Sequence, residues 1–197
     1  MMLEFWFEFA STYSYPAARR IEALCRDAHV QLHWRPFLLG PIFSAQGWSD
    51  SPFNIYPAKG RYMWRDLERV CAGLDVPFAR PSLFPQNGLL AARIACWFED
   101  EPWLPEFVRK VYTANFASGC DISDIAVLEE ILRDLGQPTS ILAEAATPEA
   151  KLKLRSQTER AITLGIFGAP SVTVGTELFW GNDRLEAAVA WAQFRTE

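Results

Sequence analysis

Two serines in one predicted turn are the side chains of this sequence best placed to act on a bound ligand. Ser11 and Ser14 lie in residues 9–16, which read F-A-S-T-Y-S-Y-P. Ser11 falls where a strand pattern gives way to a helix pattern, and a new helix begins with unpaired N–H groups. Those donors and the helix dipole favour a thiolate, a carboxylate or a phosphate. The alternative is that Ser11 or Ser14 simply caps the helix, since serine is a favoured N-cap residue.

Other groups that commonly carry catalysis are scarce. The chain has two histidines, His29 and His33, and no C-x-x-C pair. This gives little support for a Ser-His-Asp triad or a metal site, and we predict no metal. Three of the four cysteines lie among apolar residues at helical spacing, so we expect reduced thiols in the core. The four are Cys25, Cys71, Cys96 and Cys120.

The elements that position Ser11 follow from the hydrophobic periods on either side of it. Before the turn, apolar residues alternate with Glu4, Trp6 and Glu8, which predicts a strand with one apolar face. After the turn the period is helical up to about His29, with an apolar stripe of Ile21, Leu24, Cys25 and Ala28. Residues 30–37 then read as a second strand. Because a helix joins the two strands, we predict that they are parallel.

The middle of the chain is predicted to be helical, and the end to return to strands. Residues 39–58 are rich in Gly and Pro and predict a long irregular loop of the kind that often carries function. Residues 169–174 and 177–180 predict a hairpin, and Gly181-Asn182-Asp183 predicts the start of a final helix. The predicted helices between them cover residues 59–73, 88–98, 105–116, 123–135, 140–146 and 147–165.

This order predicts an α/β fold in which the two ends of the chain build one sheet. The helical block would then be an insertion into a discontinuous domain. We place the sheet domain at residues 1–38 and 158–197, and the loop and inserted helices at residues 39–157.

Bulk composition narrows the class of protein. The chain has 197 residues and a net charge of −5, and half of its residues are hydrophobic. The acidic balance and the lack of a basic run argue against nucleic acid as a partner. No stretch reads as a signal peptide or a membrane span, so we expect a soluble cytoplasmic protein without a membrane partner.

Five ordered motifs resemble those of a known family. They are F-x-F-x-S-x-x-S-Y at residues 7–15, R-P-F-L-L-G at 35–40, P-A-K-G-R-Y-M-W-R-D at 57–66, F-G-A-P-S-V-T-V at 167–174 and F-W-G-N-D-R-L at 179–185. Over essentially its whole length the chain resembles the 2-hydroxychromene-2-carboxylate isomerases and the kappa-class glutathione transferases. The resemblance implies a thioredoxin-like fold (βαβ followed by ββα) with the large helical insertion of DsbA-like proteins.

The resemblance also implies roles for particular residues. Ser11 would stand where thiol oxidoreductases have their reactive cysteine, and would activate bound glutathione. Ala169 would precede a cis Pro170 and bind the cysteinyl part of glutathione. The remaining glutathione-binding positions implied by the family are Asn54, Lys59, Asn182 and Asp183.

Two departures from the family pattern bear on the second substrate. Thr12 stands where many members have Pro, and Ser44 stands where many have Lys. These departures bear more on the identity of the second substrate than on the use of glutathione.

The resemblance implies an isomerase of aromatic degradation, which would convert a 2-hydroxychromene-2-carboxylate to the trans-o-hydroxybenzylidenepyruvate. The partners would be glutathione, a small anionic aromatic substrate and a second copy of the chain in a homodimer, since many relatives are dimers. Aromatic residues of the loop region could line the substrate pocket or pack in the core; they are Phe43, Trp48 and Tyr56, with Phe53 and Trp64.

Other functions stay open at this point. The same glutathione site would serve a kappa-type transferase or peroxidase. A redox-inactive binding module could instead use the Pro170 face for peptides. A dithiol oxidoreductase ranks last, because Ser11 and Ser14 stand where its two cysteines would be.

Overall fold

A four-stranded mixed sheet formed from both ends of the chain lies at the centre of the molecule, which was analysed as a computed structural model describing residues 2–194. The strands are β1 (Met2–Phe7), β2 (Gln31–Pro36), β3 (Ser171–Val174) and β4 (Glu177–Trp180). Their order is β2-β1-β3-β4. β1 runs parallel to β2 and antiparallel to β3, and β3 pairs with β4 as a hairpin. The predicted parallel pair and terminal hairpin are therefore confirmed.

The central strand β1 is buried on both faces, so the prediction of a single apolar face was wrong. Phe5 and Phe7 pack into the main core, while Trp6 packs on the other side in a second cluster with Phe37 and Ile42. Glu4 is also buried. Its carboxylate accepts hydrogen bonds from Arg35 and Arg160 and from the Thr173 hydroxyl.

Ten α-helices surround the sheet within residues 2–194. Helix α1 (Ser14–Asp27) joins β1 to β2, and α10 (Leu185–Phe194) follows β4 after a short 3₁₀ turn at Asn182–Arg184. The others lie between β2 and β3: α2 (Leu39–Ala45), α3 (Pro52–Ile55), α4 (Pro57–Gly73), α5 (Leu89–Trp97), α6 (Leu104–Phe116), α7 (Ile125–Asp134), α8 (Ser140–Ala145) and α9 (Pro148–Thr163).

The stretch predicted to be an irregular loop contains the two short helices α2 and α3, so that prediction was wrong. Helix α2 is held by Ile42, which is buried in the second cluster. The Ser51 hydroxyl caps α3 by accepting from the Phe53 N–H at 3.3 Å, and Pro52 occupies its first turn. Short helices containing Gly and Pro have weak intrinsic propensity, so tertiary packing decides their conformation.

The predicted division of the chain at residues 157 and 158 falls inside α9 and stays a prediction. No helix within residues 2–194 is long and apolar enough to cross a membrane. Three cysteine thiols, those of Cys25, Cys71 and Cys96, are free and buried, and Cys120 is partly exposed.

Candidate active site

The Ser11 hydroxyl links the two ends of the chain. Its Oγ donates a hydrogen bond of 2.9 Å to the carbonyl of Ala169, and its backbone N–H donates to the carbonyl of Glu8 at 2.9 Å. Helix α1 begins three residues later, and no side chain caps it. The interpretation of Ser11 or Ser14 as a simple N-cap was therefore wrong, and Ser11 instead lies in the turn that precedes the helix.

The segment opposite Ser11 presents a backbone N–H to the cavity. The Ala169–Pro170 peptide bond is cis, as the family resemblance implied. The carbonyl of Pro170 accepts from the Gly181 N–H at 2.9 Å, whereas the N–H of Ala169 forms no hydrogen bond within the described part of the chain. Ala169 therefore has a donor available for an extended ligand beside the Ser11 hydroxyl.

Ser11 and Ala169 lie on the wall of a large cavity. Its volume is about 1080 Å³, at the upper end of the range typical of pockets for small molecules. The structure brings together eight of the ten residues predicted for the site along its walls, from four separate parts of the chain. These are Ser11, Phe43, Trp48, Lys59, Ala169, Pro170, Asn182 and Asp183.

Aromatic pairs form much of the apolar wall. Phe43 and Trp48 have ring centroids 5.6 Å apart, and Phe167 and Trp180 lie 4.9 Å apart on the side of Ala169. The second pair is about half exposed on each ring. Gly168 lies against it, since a Cβ there would come within 2.5 Å of the Trp180 indole nitrogen. The sequence reasoning missed Phe167 and Trp180, although the motifs around them signalled the site.

Comparison with known proteins now adds to this geometry. The sequence model of the DSBA-like thioredoxin domain matches residues 2–190. The chain belongs to the DSBA-like thioredoxin domain family.

The relatives of this DsbA-like chain include isomerases and glutathione transferases. It is 30% identical to a 2-hydroxychromene-2-carboxylate isomerase of Sphingobium xenophagum, over 93% of this chain and 94% of the relative. It is 29% identical to glutathione S-transferase kappa 1 of Homo sapiens, over 93% of this chain and 87% of the relative. A solved 2-hydroxychromene-2-carboxylate isomerase superposes with a TM-score of 0.85 at 24% identity, covering 100% of this chain and 96% of that one. The predicted family and the predicted thioredoxin-like fold with a helical insertion are confirmed.

Two predicted site residues of this DsbA-like protein are not among those that line the cavity. Asn54 donates its amide N–H groups to the Asp50 carboxylate and, at 3.1 Å, to the carbonyl of Phe84. It thus ties α3 to the connector before α5. Tyr56 is exposed, with the Lys59 ammonium 5.9 Å from its ring centroid. Trp64 is buried instead, packed 4.9 Å from the ring of Phe84.

The polar pair after β4 differs from its prediction in detail. Asn182 and Asp183 begin a 3₁₀ turn, and α10 starts only at Leu185. Asn182 is buried, and both its side-chain and backbone oxygens accept from Arg20, at 3.1 and 3.2 Å. Asp183 is exposed and pairs with Arg184 at 2.8 Å. Asn182 therefore fixes the turn, and Asp183 lies exposed at the rim of the cavity.

A tyrosine missed by the sequence reasoning lies two residues after Ser11. The Tyr13 hydroxyl donates to the Asp66 carboxylate of α4 at 2.9 Å, and both residues line the cavity. Burial, together with the Asp66 charge and hydrogen bond, raises the pKa of Tyr13 above its usual range, so the phenol stays neutral. Tyr13 and Asp66 thereby join the α1 turn to α4.

Glu8 is the second residue that the sequence reasoning missed, because alternation placed it on the face assumed to be polar. Its Oε2 accepts from the Ala10 N–H at 2.9 Å, and Glu8 lines the same cavity as Ser11. Burial raises its pKa to about 7, despite the opposing effect of the Ala10 and Ser11 N–H groups. A carboxyl that titrates near neutral pH beside a candidate reactive serine is typical of functional sites.

Metal chemistry receives no support from the described residues. No group of three or more His, Cys, Asp or Glu side chains in residues 2–194 could hold a metal ion. Burial raises the thiol pKa of Cys25 to about 12, of Cys71 to about 11 and of Cys96 to about 12. These three thiols are poor nucleophiles, so the polar groups at the Ser11 turn are the better candidates for chemistry.

Proposed function

We propose that this protein is a glutathione-dependent isomerase acting on 2-hydroxychromene-2-carboxylates or closely related anionic aromatics. The product would be the trans-o-hydroxybenzylidenepyruvate type, with no net redox change. The observation that carries the proposal is the hydrogen bond from the Ser11 hydroxyl to the Ala169 carbonyl, beside an Ala169 N–H that has no partner within residues 2–194, inside one large cavity. The names of the relatives, an isomerase and a glutathione transferase, support the same reading.

The residues around Ser11 fit glutathione. The unpaired N–H of Ala169 matches the extended backbone of a short peptide, which pairs with main-chain donors and acceptors. When bound, glutathione would supply a thiolate nucleophile to the site. Because Ser11 cannot form a mixed disulfide, the site disfavours dithiol exchange and favours glutathione held without covalent attachment.

Ser11 would hold the sulfur in its ionised form. A free thiol with a pKa near 8.5 is only about 3% thiolate at about pH 7. Lowering that pKa by about two units requires roughly 2.7 kcal/mol of preferential stabilisation of the anion. A hydroxyl that donates to a charged group contributes roughly 1.5–3 kcal/mol, but Ser11 must give up its hydrogen bond to the Ala169 carbonyl to do so. Ser11 would therefore supply about half of the requirement, and the N-terminal end of α1 would add to it.

The charged groups at the rim would hold the ends of glutathione. Asp183 is exposed at the start of the 3₁₀ turn and would bind the γ-glutamyl amine. Lys59 is exposed on α4 and would pair with a carboxylate of glutathione or of the second substrate. Asn182 and Asn54 would contribute to glutathione binding indirectly. Asn182 would fix the turn beside Asp183, and Asn54 would hold α3 in place.

The second substrate would lie against the aromatic wall. Phe43 and Trp48 offer faces for an aromatic ring. The cavity of about 1080 Å³ is large enough to take a second small molecule next to a tripeptide. An apolar wall with Lys59 at its edge suits a flat ring that carries one carboxylate.

A second candidate is a kappa-type glutathione transferase or peroxidase. The specific observation in its favour is the nearly equal similarity to both kinds of relative, at 30% and 29% identity. It would use the same Ser11 and Ala169 pair with a different electrophile. The two candidates therefore differ in the second substrate and not in the glutathione site.

One experiment separates these functions. Glutathione is titrated into the protein while heat and thiolate absorbance are followed, and isomerisation of a hydroxychromene carboxylate is then assayed with and without glutathione. S-methylglutathione, which lacks the thiol, is the matched control ligand. We expect binding, a thiolate signal only with glutathione, and glutathione-dependent isomerisation. Binding without isomerisation would favour the transferase, and no binding would leave the redox-inactive binding module.

A further inference from the structure

Glu8 is built into the same turn that holds Ser11. Its backbone carbonyl accepts from the Ser11 N–H at 2.9 Å and from the Tyr112 hydroxyl of α6 at 2.8 Å. Its side chain folds back over the turn, so that Oε2 accepts from the N–H of Ala10. Three hydrogen bonds therefore hold Glu8 in this turn, two of them accepted by its backbone carbonyl and one by its carboxyl.

Within residues 2–194 no cation balances the carboxyl of Glu8. No Lys, Arg or His side chain there forms an ion pair with it, whereas Glu4 of β1 pairs with two arginines. Its second oxygen, Oε1, accepts no hydrogen bond from residues 2–194, and Glu8 is partly exposed to the cavity. One oxygen is thus held by the turn, and the other is free to take a proton from a ligand.

We propose that Glu8 accepts the proton that the thiol of glutathione gives up on binding. The inference rests on the proposed function, because it requires glutathione at Ser11. The S–H bond breaks and its electron pair stays on sulfur, while an O–H bond forms at the Glu8 carboxylate. The proton returns from Glu8 when glutathione leaves. When Glu8 is ionised before binding, the proton moves from sulfur to the carboxylate, and the net charge of the two groups does not change.

Three physical reasons favour this assignment. Two anions held close together in a cavity of low dielectric repel each other, so a charged Glu8 beside a thiolate would be unfavourable. Ser11 cannot serve as the acceptor, because its hydroxyl is a donor to the Ala169 carbonyl and serine is a very weak base. The raised pKa of Glu8, about 7, brings its proton affinity near that of an activated thiol.

The other ionisable groups facing the cavity are less suited to take this proton. Burial keeps the phenols of Tyr13 and, beneath the turn, Tyr112 neutral by raising their pKa. Each remaining carboxylate that lines the cavity already has a side-chain partner, whereas no side chain within residues 2–194 pairs with the Glu8 carboxyl. Asp50 accepts from Asn54, Asp66 accepts from Tyr13, and Asp183 pairs with Arg184. Lys59 and Tyr62 are exposed groups on α4.

The test counts protons released when glutathione binds. Heats of binding are measured at about pH 7.5 in buffers with different ionisation enthalpies, for the wild-type protein and for Glu8→Gln. Glutamine keeps an oxygen to accept from Ala10 but cannot take a proton. With a free thiol pKa near 8.5 and a Glu8 pKa of about 7, we expect roughly 0.2 proton released per glutathione by the wild type and roughly 0.9 by Glu8→Gln.

The controls separate this inference from the function on which it rests. Glu177→Gln removes an exposed carboxylate at the start of β4 and should release as few protons as the wild type. Equal release by wild type and Glu8→Gln, with both binding glutathione as thiolate, would overturn the role of Glu8 and leave the proposed function standing. No thiolate in the wild type would overturn both. Should Glu8→Gln fail to fold, the wild-type count decides, since a value near 0.9 excludes proton uptake by Glu8.

Discussion

The Ser11→Ala substitution tests the site most directly, because the structure sets the size of its effect. The Ser11 hydroxyl has one proton, and in this structure it donates that proton to the Ala169 carbonyl at 2.9 Å. To stabilise a thiolate it must leave this neutral acceptor. The net gain is therefore the difference between a hydrogen bond to a charged group, roughly 1.5–3 kcal/mol, and one to a neutral group, roughly 0.5–1.5 kcal/mol.

That difference is about 1–1.5 kcal/mol, which corresponds to about one pKa unit. We expect the thiol pKa of bound glutathione to rise by about one unit in Ser11→Ala. If it is near 6.5 in the wild type, the thiolate fraction at about pH 7 falls from roughly three-quarters to roughly one-quarter. Thiolate absorbance of the saturated complex, followed across a pH titration, measures this pKa.

Ser14→Ala is the matched control for this measurement. Ser14 is a serine of the same segment, but it is fully buried and is not among the residues lining the cavity. Its removal should leave the thiol pKa unchanged. A Ser11→Ala pKa within about 0.3 unit of the wild-type value would refute the assigned role, as would an equal rise in Ser14→Ala.

Three further predictions concern the scaffold. Glu4→Ala removes the buried carboxylate that pairs with Arg35 and Arg160. Because Arg35 keeps its pair with Glu99 and Arg160 is about half exposed, the substitution should cost about 1–3 kcal/mol of unfolding free energy in chemical denaturation. Burial would raise the pKa of Glu4, but the two arginines lower it below 4.5. The ionised Glu4 should therefore stabilise the fold at neutral pH, and this contribution should fade below about pH 4.5. Acid unfolding that Glu4→Ala leaves unchanged would contradict this. Gly60→Ala places a Cβ 2.2 Å from a backbone carbonyl of α3 and should lower the melting temperature and glutathione affinity, whereas Gly73→Ala on the same helix meets open space and should do neither. A maleimide should label only Cys120 in the native protein, because the other three thiols are buried; peptide mass spectrometry that finds another labelled site would disprove it.

The sequence was sufficient for the order of the strands and the longer helices, and for eight residues that line the cavity of the candidate site. Alternation before Ser11 and helical spacing after it predict β1 and α1, and the Gly175-Thr176 turn predicts the hairpin. These signals are local, and the strand and helix in the structure have the hydrophobic periods on which the predictions rest. The family motifs added Ala169, whose cis bond to Pro170 no local rule favours.

The errors share a cause in tertiary packing. Alternation assigned Trp6 and Glu8 to a polar face, but that face packs on a second cluster and on the cavity. A tryptophan between two glutamates was the available signal that this face is covered. Helix α2 forms because Ile42 is buried by residues distant in sequence. Asn54 bonds across to Phe84, a contact that spacing along the chain does not encode.

The central position of β1 has a consequence for synthesis of the chain. β1 is synthesised well before its partner β3, which begins only at Ser171. At roughly 5–20 residues per second, this strand waits on the order of ten seconds with one edge unpaired. Unpaired, apolar strand edges are sites of aggregation, so β1 in the nascent protein is a segment for a chaperone to shield. Ser11 meets Ala169 only when this interval ends, and the candidate site is therefore completed late in the synthesis of the chain.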